Sequence, residues 1–184
     1  MTAPVPEAAV AGAVAAARAH LRIAGGQEDA VLARLARTAF ALAEAFTGAG
    51  LIARAHEDVA PAVAAWTPLA LEPVRAITGV TGLPPGGGAP FALPVDAYAV
   101  DIDHEGRGWV RVTAPGAAAR VAIAYQAGLA ADWDALPAPV AQGLVLLMAH
   151  LFDERGGRGA GAPPAAVTAL WRPWRRIRLE RRRA

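Results

Sequence analysis

The C-terminal stretch LPAPVAQGLVLLMAHLFDERGGRGAGAPPAAVTALWRPWRRIRLERRRA, residues 136–184, decides how the rest of the chain is interpreted. It predicts an apolar helix over residues 138–155, a glycine-rich hinge, a short helix over Ala165–Trp171 and a basic arm. Proline near the start of the first helix suits backbone positions where an N–H has no partner. We therefore predict a globular body over residues 1–155 and an appendage over residues 156–184.

The helix over residues 138–155 is apolar around most of its circumference. One apolar stripe recurs at helical spacing, and a second apolar stripe lies beside it. A helix of this kind is either buried centrally or shared with another subunit. We expect a subunit interface at the second stripe, which comprises Val145, Met148 and Phe152.

Charge is distributed unevenly along the chain. Residues 1–154 carry nine arginines against 15 acidic residues, a net charge of −6, whereas residues 155–184 carry nine arginines against one acidic residue, a net charge of +8. The formal net charge of +2 thus hides an acidic body joined to a basic arm. The chain contains no lysine, so part of its arginine richness reflects composition rather than function. The charge asymmetry is still the strongest indication of a partner.

The basic arm contains seven arginines interleaved with two tryptophans and is compatible with three roles. This combination suits phosphate contact and base stacking, which predicts a nucleic-acid-binding accessory protein. Tryptophan and arginine are also enriched at protein–protein hot spots, which predicts docking on another subunit. A solvated terminus is the third possibility. The residues concerned are Trp171, Arg172, Trp174, Arg175, Arg176, Arg178, Arg181, Arg182 and Arg183.

The preceding part of the chain predicts an α+β body. Apolar residues at helical spacing predict two N-terminal helices, over residues 8–23 and 28–46. Repeated prolines exclude long helices from residues 51–126, where alternating apolar and polar residues predict an antiparallel β region. The predicted strands are 51–59, 74–81, 98–102, 109–113 and 120–125. The predicted apolar stripe of the second helix comprises Leu32, Leu35, Ala39, Leu42 and Phe46.

No combination of residues indicates catalysis. The chain has no cysteine and no serine, which excludes disulfides, thiolate metal ligands and a Cys or Ser nucleophile. Asp101, Asp103 and Glu105 match the start of a calcium-binding loop, but Val112 stands where a bidentate glutamate is required. This acidic segment is therefore expected to be a solvated strand end and turn.

Two histidine-containing segments are further candidates for a reactive site. His150 with Asp153 and Glu154 has the residue types for metal binding or proton transfer, but a helix-end histidine with polar neighbours accounts for it. The segment 56–58, His-Glu-Asp, predicts an exposed strand edge. We expect no enzyme activity, no metal and no cofactor.

Neither a membrane segment nor a secretion signal is predicted. No apolar run reaches the ~20 residues that span a bilayer. The N-terminus lacks the basic region of a secretory signal. We therefore expect a soluble protein that is made and folded in the cytoplasm and does not contact membranes.

Several motifs in order along the chain resemble the small head-tail connector proteins of tailed bacteriophages. The C-terminal signature is the helix LPAPVAQGLVLLMAHLFDERG from Leu136 followed by PPAAVTALWRPWR. VAAARAHLRIAGGQEDAVLARL from Val14 resembles the opening of that family. VRAITGV from Val74, DAYAVD from Asp96 and VAIAYQAGLAAD from Val121 resemble its strands. The alanine-rich, arginine-only composition resembles the versions found in alphaproteobacterial gene transfer agents.

This resemblance implies a non-enzymatic structural role. Such proteins form a ring, usually twelve-fold, beneath the portal, where they join the capsid to the tail and line the channel for double-stranded DNA. The implied partners are the portal protein, a tail-side connector or stopper protein and further copies of the chain. The implied location is the cytoplasm during assembly and then the head-tail junction of the particle. Predicted portal contacts are Leu170, Trp171, Arg172, Trp174, Arg175, Arg176 and Arg178, and predicted DNA-phosphate contacts are Arg181, Arg182 and Arg183.

Overall fold

The computed structural model describes residues 3–154 and 164–176, which form two units of the expected α+β class. The β unit comprises residues 3–4 and 53–129. The helical unit comprises residues 5–52 together with the described residues from 130 onwards. The predicted hinge, Arg178 and the three terminal arginines lie outside the described residues. No helix within the described ranges is long and apolar enough to cross a bilayer.

The first two helices of the helical unit end where the backbone turns left-handed. Helix α1 spans Glu7–Leu21, and Arg22 ends it with a φ of 55°. Helix α2 spans Asp29–Thr47, and Gly48 ends it with a φ of 70°, a conformation that glycine adopts without a Cβ clash. The acidic residue in each first turn is favoured by the helix dipole. Both helices confirm the prediction to within two residues at each end.

The buried face of α2 differs from the predicted stripe. Phe40 is fully buried, whereas Leu42, which was placed in the stripe, is 44% exposed. The prediction was wrong because the buried face also includes the small apolar residues Ala36 and Ala43, which place it on the Phe40 side of the helix. The buried residues of α2 are Leu32, Ala36, Ala39, Phe40, Ala43 and Thr47.

A tryptophan fills the space beside a glycine of α1. A Cβ added to Gly12 would lie 2.7 Å from the Cβ of Trp133, so only glycine fits there. The Trp133 ring also meets Phe40 edge-on, with ring centroids 6.2 Å apart. Helix α3 spans Ala138–Glu154 and α4 spans Ala165–Trp171, as the sequence predicts.

The β unit contains two antiparallel sheets. The larger sheet has the order β1-β7-β3-β4, and the smaller has the order β2-β6-β5. All five predicted strands are present. The strand over residues 98–102 has its predicted ends, and the other four differ from the prediction at one or both ends. The sequence did not predict β2 and β4, which are only two residues long. The strands are β1 Arg54–Pro61, β2 Thr67–Pro68, β3 Val74–Leu83, β4 Phe91–Ala92, β5 Tyr98–Ile102, β6 Gly108–Val112 and β7 Arg120–Ala127.

Tyr125 of β7 is the largest fully buried side chain in the core of the β unit. Its hydroxyl donates to the Asp58 carboxylate at 3.0 Å and accepts from the Leu71 N–H at 3.1 Å. His56 packs against the Tyr125 ring, with ring centroids 5.5 Å apart, and is only 4% exposed. The prediction of an exposed 56–58 segment is therefore wrong for His56. Alternation along β1 turns His56 inward and leaves Glu57 exposed.

The acidic segment between β5 and β6 forms the predicted turn. One carboxylate oxygen of Asp103 accepts the backbone N–H groups of Glu105 and Arg107, each at 2.9 Å. These hydrogen bonds, above all that from Arg107, hold the pKa of Asp103 below its ordinary value. The carboxylate is thus used to shape the turn.

Candidate partner-binding surface

Helix α4 is a short helix that packs one face against α3. Pro164, in an extended conformation, precedes it and fixes its start. Val167 is fully buried and Trp171 is 3% exposed, and their spacing of four residues places them on one face. The remaining exposed face of α4 continues into a 3₁₀ turn over Arg172–Trp174.

Trp171 occupies a slot in α3 that only glycine leaves open. A Cβ on Gly143 would lie 2.8 Å from Cε2 of Trp171 and closer still to its Nε1. The indole Nε1–H donates to the Val140 carbonyl oxygen at 3.2 Å, so the one polar atom of the buried ring is satisfied. The ring therefore fastens α4 to α3 by both shape and hydrogen bonding.

The segment after Trp171 is held against the end of α2. The N–H of Arg176 donates to the Thr47 carbonyl oxygen at 2.7 Å, which satisfies a carbonyl that the end of a helix leaves without an intrahelical partner. Phe46 contacts the Trp171 ring at a centroid distance of 6.0 Å, and the Arg175 guanidinium lies 5.8 Å from the Phe46 ring. Cations near the C-terminus of α2 are also favoured by its dipole.

These contacts leave an arginine-bearing surface at residues 170–176. Arg172 and Arg175 are exposed, and Leu170, Trp174 and Arg176 are half-buried. Trp171 was predicted to anchor the arm to a partner, but its ring is already buried inside this chain. Trp174 is the member of the pair that retains accessible surface. Binding of a partner by these residues stays a prediction, and Arg178, Arg181, Arg182 and Arg183 lie outside the described residues.

The three residues predicted for a subunit interface differ in burial. Met148 is fully buried and Val145 is 6% exposed within this chain. Phe152 is half-buried and retains accessible surface. A subunit contact at this stripe stays a prediction, and Phe152 is the residue through which it would be made.

The other sequence candidates do not assemble into a reactive site. His150 Nε2 lies 3.3 Å from Glu154 Oε1 across one turn of α3, while Asp153 is exposed. Within residues 3–154 and 164–176, no group of three or more histidine or acidic residues is placed to hold a metal ion. The His150 pair is a helix-end contact of the kind the sequence predicts.

Sequence reasoning missed the two residues that position the arm, Gly143 and Phe46. An isolated glycine inside a strongly apolar helix often has a packing reason, and that signal was present at Gly143. Phe46 was assigned to the apolar stripe of α2, but nothing in the sequence indicates that its ring meets Trp171.

Solved structures resemble this chain over its whole length. A chain from the neck of an empty gene transfer agent particle, computed with C6 symmetry, has a TM-score of 0.77 and 29% identity, with all of both chains covered. A chain from the neck of a native particle, computed with C12 symmetry, has a TM-score of 0.75 and 29% identity, again with all of both chains covered. A chain from the virion of a native gene transfer agent particle has a TM-score of 0.73 and 30% identity, with 98% of this chain and 96% of the other covered. No protein-family model and no curated protein matches the sequence.

Proposed function

The chain belongs to the head-tail connector-type proteins of gene transfer agent particles, and from that membership we propose that it is the adaptor that joins the capsid portal to the tail. In this role copies of the chain form a ring beneath the portal, and the ring lines the channel through which DNA passes. The protein has a structural role and catalyses no reaction. It is made in the cytoplasm and then becomes part of the neck of the particle.

A ring is supported by the symmetry of the related necks. One was computed with C6 symmetry and another with C12 symmetry, and twelve copies are compatible with both. In a ring, a patch on one copy meets a different patch on the next copy, so the interface is not self-complementary. We propose a twelve-membered ring for this chain as well.

The arginine-bearing surface at residues 170–176 is the proposed portal contact. The observation that carries this proposal is the fastening of the segment, because Trp171 and the N–H of Arg176 hold it in one place. Exposed Arg172 and Arg175 are then presented from a fixed base, which reduces the entropy lost on binding. The matching surface on the portal is acidic, and a tail-side connector or stopper binds the opposite end of the ring.

A charge reversal in the full chain tests this proposal. The variant Arg172→Glu/Arg175→Glu should remain folded and fail to bind portal-bearing heads in co-sedimentation. The matched control Arg34→Glu/Arg120→Glu reverses two other exposed arginines, and it should bind as the wild type does. Normal attachment of the Arg172/Arg175 variant would contradict the proposed contact.

The alternative, a nucleic-acid-binding accessory protein, predicts a different result. The isolated protein would bind double-stranded DNA through Arg181, Arg182 and Arg183, with affinity falling steeply as salt rises. Portal attachment would then be unaffected by the Arg172/Arg175 reversal. DNA binding that is weak and insensitive to salt would argue against this alternative.

A further inference from the structure

A surface notch in the β unit lies between two tryptophans and a carboxylate. Trp66, Asp101 and Trp109 line an open cavity of about 270 Å³. Asp101 of β5 is paired with Trp109 of β6 across the smaller sheet, so both side chains project from the same face. Trp66 precedes β2, whose Pro68 pairs with Trp109 on its other side. The three residues therefore converge on the smaller sheet from three neighbouring segments.

The notch is exposed and its carboxylate is not used within the described structure. Trp66 is 43% exposed, and Asp101 is exposed as well. Among the described residues, Asp101 makes no hydrogen bond or ion pair with its side chain. The Arg111 guanidinium lies 4.8 Å from the centroid of the Trp66 ring, on the same face of the sheet as Trp109. One arginine is thus already stacked beside the notch, while the Trp109 ring and the Asp101 carboxylate remain available.

The residues that line the notch suit a planar cation as the ligand. A single carboxylate does not hold a metal ion, and the described residues contain no three-ligand group. Nucleic-acid sites that stack bases on aromatic rings are lined by positive charge, whereas Asp101 repels phosphates. The volume is below the roughly 300–1,000 Å³ of small-molecule pockets, so a single side chain fits better than a cofactor. A guanidinium both stacks on tryptophan and pairs with a carboxylate.

We propose that this notch binds an arginine of residues 177–184 from a neighbouring copy of the chain. That segment contains four arginines and one glutamate. The acidic body and the basic end of the chain are complementary in charge, and a contact between different patches on successive copies is what a ring requires. This inference rests on the proposed ring, and it assigns to the terminal arginines a partner distinct from the portal surface at Arg172 and Arg175.

Two measurements on the full chain with ¹⁵N-labelled tryptophan test the proposal. In a dilution series into the millimolar range, the indole N–H signals of Trp66 and Trp109 should shift with protein concentration. Added peptide IRLERRRA, which is residues 177–184, should shift the same two signals. The same peptide with citrulline in place of arginine should not, because citrulline is neutral. The indole signals of Trp133 and Trp171 should be unaffected.

Variants separate the notch from general charge effects. Asp101→Asn keeps the shape of the side chain. It should weaken both the self-association seen on dilution and the binding of the peptide by about two- to fivefold, the range expected for one exposed ion pair. Trp66→Ala should also weaken self-association and peptide binding, and Trp66 lies outside the strands of the sheet. Asp96→Asn removes another exposed carboxylate and should leave both unchanged.

Three outcomes would overturn the proposal. These are the absence of any concentration-dependent shift, equal shifts with the citrulline peptide, and an Asp101→Asn variant that associates like the wild type. Shifts with peptide but not with dilution would assign the notch to a different arginine-bearing protein, and would also refute the contact between copies. Failure here leaves the portal test with Arg172 and Arg175 untouched, so the two proposals are judged separately.

Discussion

Gly143→Ala should weaken the packing of α4 on α3, although alanine is the better helix former. The added Cβ would lie 2.8 Å from Cε2 and 2.9 Å from Cδ1 of Trp171, distances that real Cβ contacts essentially never show. If α3 and α4 move apart to make room, the overpacking should cost about 1–3 kcal/mol. If the Trp171 ring leaves its slot instead, the loss of a buried tryptophan should cost about 3–5 kcal/mol. The less costly route should prevail.

The net magnitude follows from three terms. To the overpacking cost is added about 1 kcal/mol for the strained or lost hydrogen bond from the indole to Val140. About 1 kcal/mol is recovered because alanine replaces glycine inside a helix. We therefore expect Gly143→Ala to lower the free energy of unfolding by about 1–3 kcal/mol. For a chain of this size that corresponds to a fall in Tm of about 2–4 °C per kcal/mol.

Urea unfolding followed by far-UV circular dichroism measures this loss, and a double-mutant cycle identifies its cause. In a Trp171→Ala background the slot is empty, so Gly143→Ala should instead stabilise the protein by up to about 1 kcal/mol. The sign of the effect therefore reverses between the two backgrounds. A Gly143→Ala variant that is more stable than the wild type, or an equal effect in both backgrounds, would refute the assignment of Trp171 to this slot.

Three further predictions concern single contacts. Tyr125→Phe removes the hydroxyl that hydrogen-bonds Asp58 and Leu71, and it should lower the free energy of unfolding by about 1–3 kcal/mol. The control Tyr98→Phe should change the free energy of unfolding little. Equal losses in the two variants would contradict the role of the Tyr125 hydroxyl. The pKa of Asp103 is lowered in the folded state, so its contribution to stability is present above its ordinary pKa and is lost as pH falls through the folded value. Asp103→Asn should therefore be less stable than the wild type at neutral pH, with the difference vanishing in acid melts. Glu7→Gln breaks an exposed ion pair with Arg37, at 2.7 Å, and should cost less than about 1 kcal/mol, a cost that added salt removes.

The sequence predicts the type of an element well where the hydrophobic periodicity and the prolines or glycines at its ends indicate the same element. Helix α4 was predicted with its observed ends because Pro164 fixes its start and Pro173 stops it. Strand β1 was predicted to begin at residue 51, but the strand begins at Arg54. Leu51 and Ile52 belong instead to the helical unit, where Ile52 bridges Ala130. An apolar run does not reveal which unit buries it.

Side-chain environments were harder to predict because they depend on contacts distant in sequence. His56 is buried because its ring packs on Tyr125, far along the chain, and no local pattern signals that pairing. Trp171 is buried for the same kind of reason, since its slot is formed by Gly143. Composition singled out the arm, and its binding of a partner stays a prediction. Composition gave no sign that Trp171 packs inside the chain.

The burial of Trp171 changes the physical character of the proposed portal contact. A hot spot centred on a desolvated tryptophan would bind strongly through one copy. Because the Trp171 indole is buried within its own chain, Arg172 and Arg175 carry most of the proposed contact. Each exposed ion pair contributes only about 0.2–1 kcal/mol. One copy should therefore hold the portal weakly. In a ring of identical copies these small contributions act together, because each engaged copy raises the effective concentration of the next. Attachment should accordingly be lost abruptly rather than gradually as salt rises, and single copies should show almost no affinity for the portal.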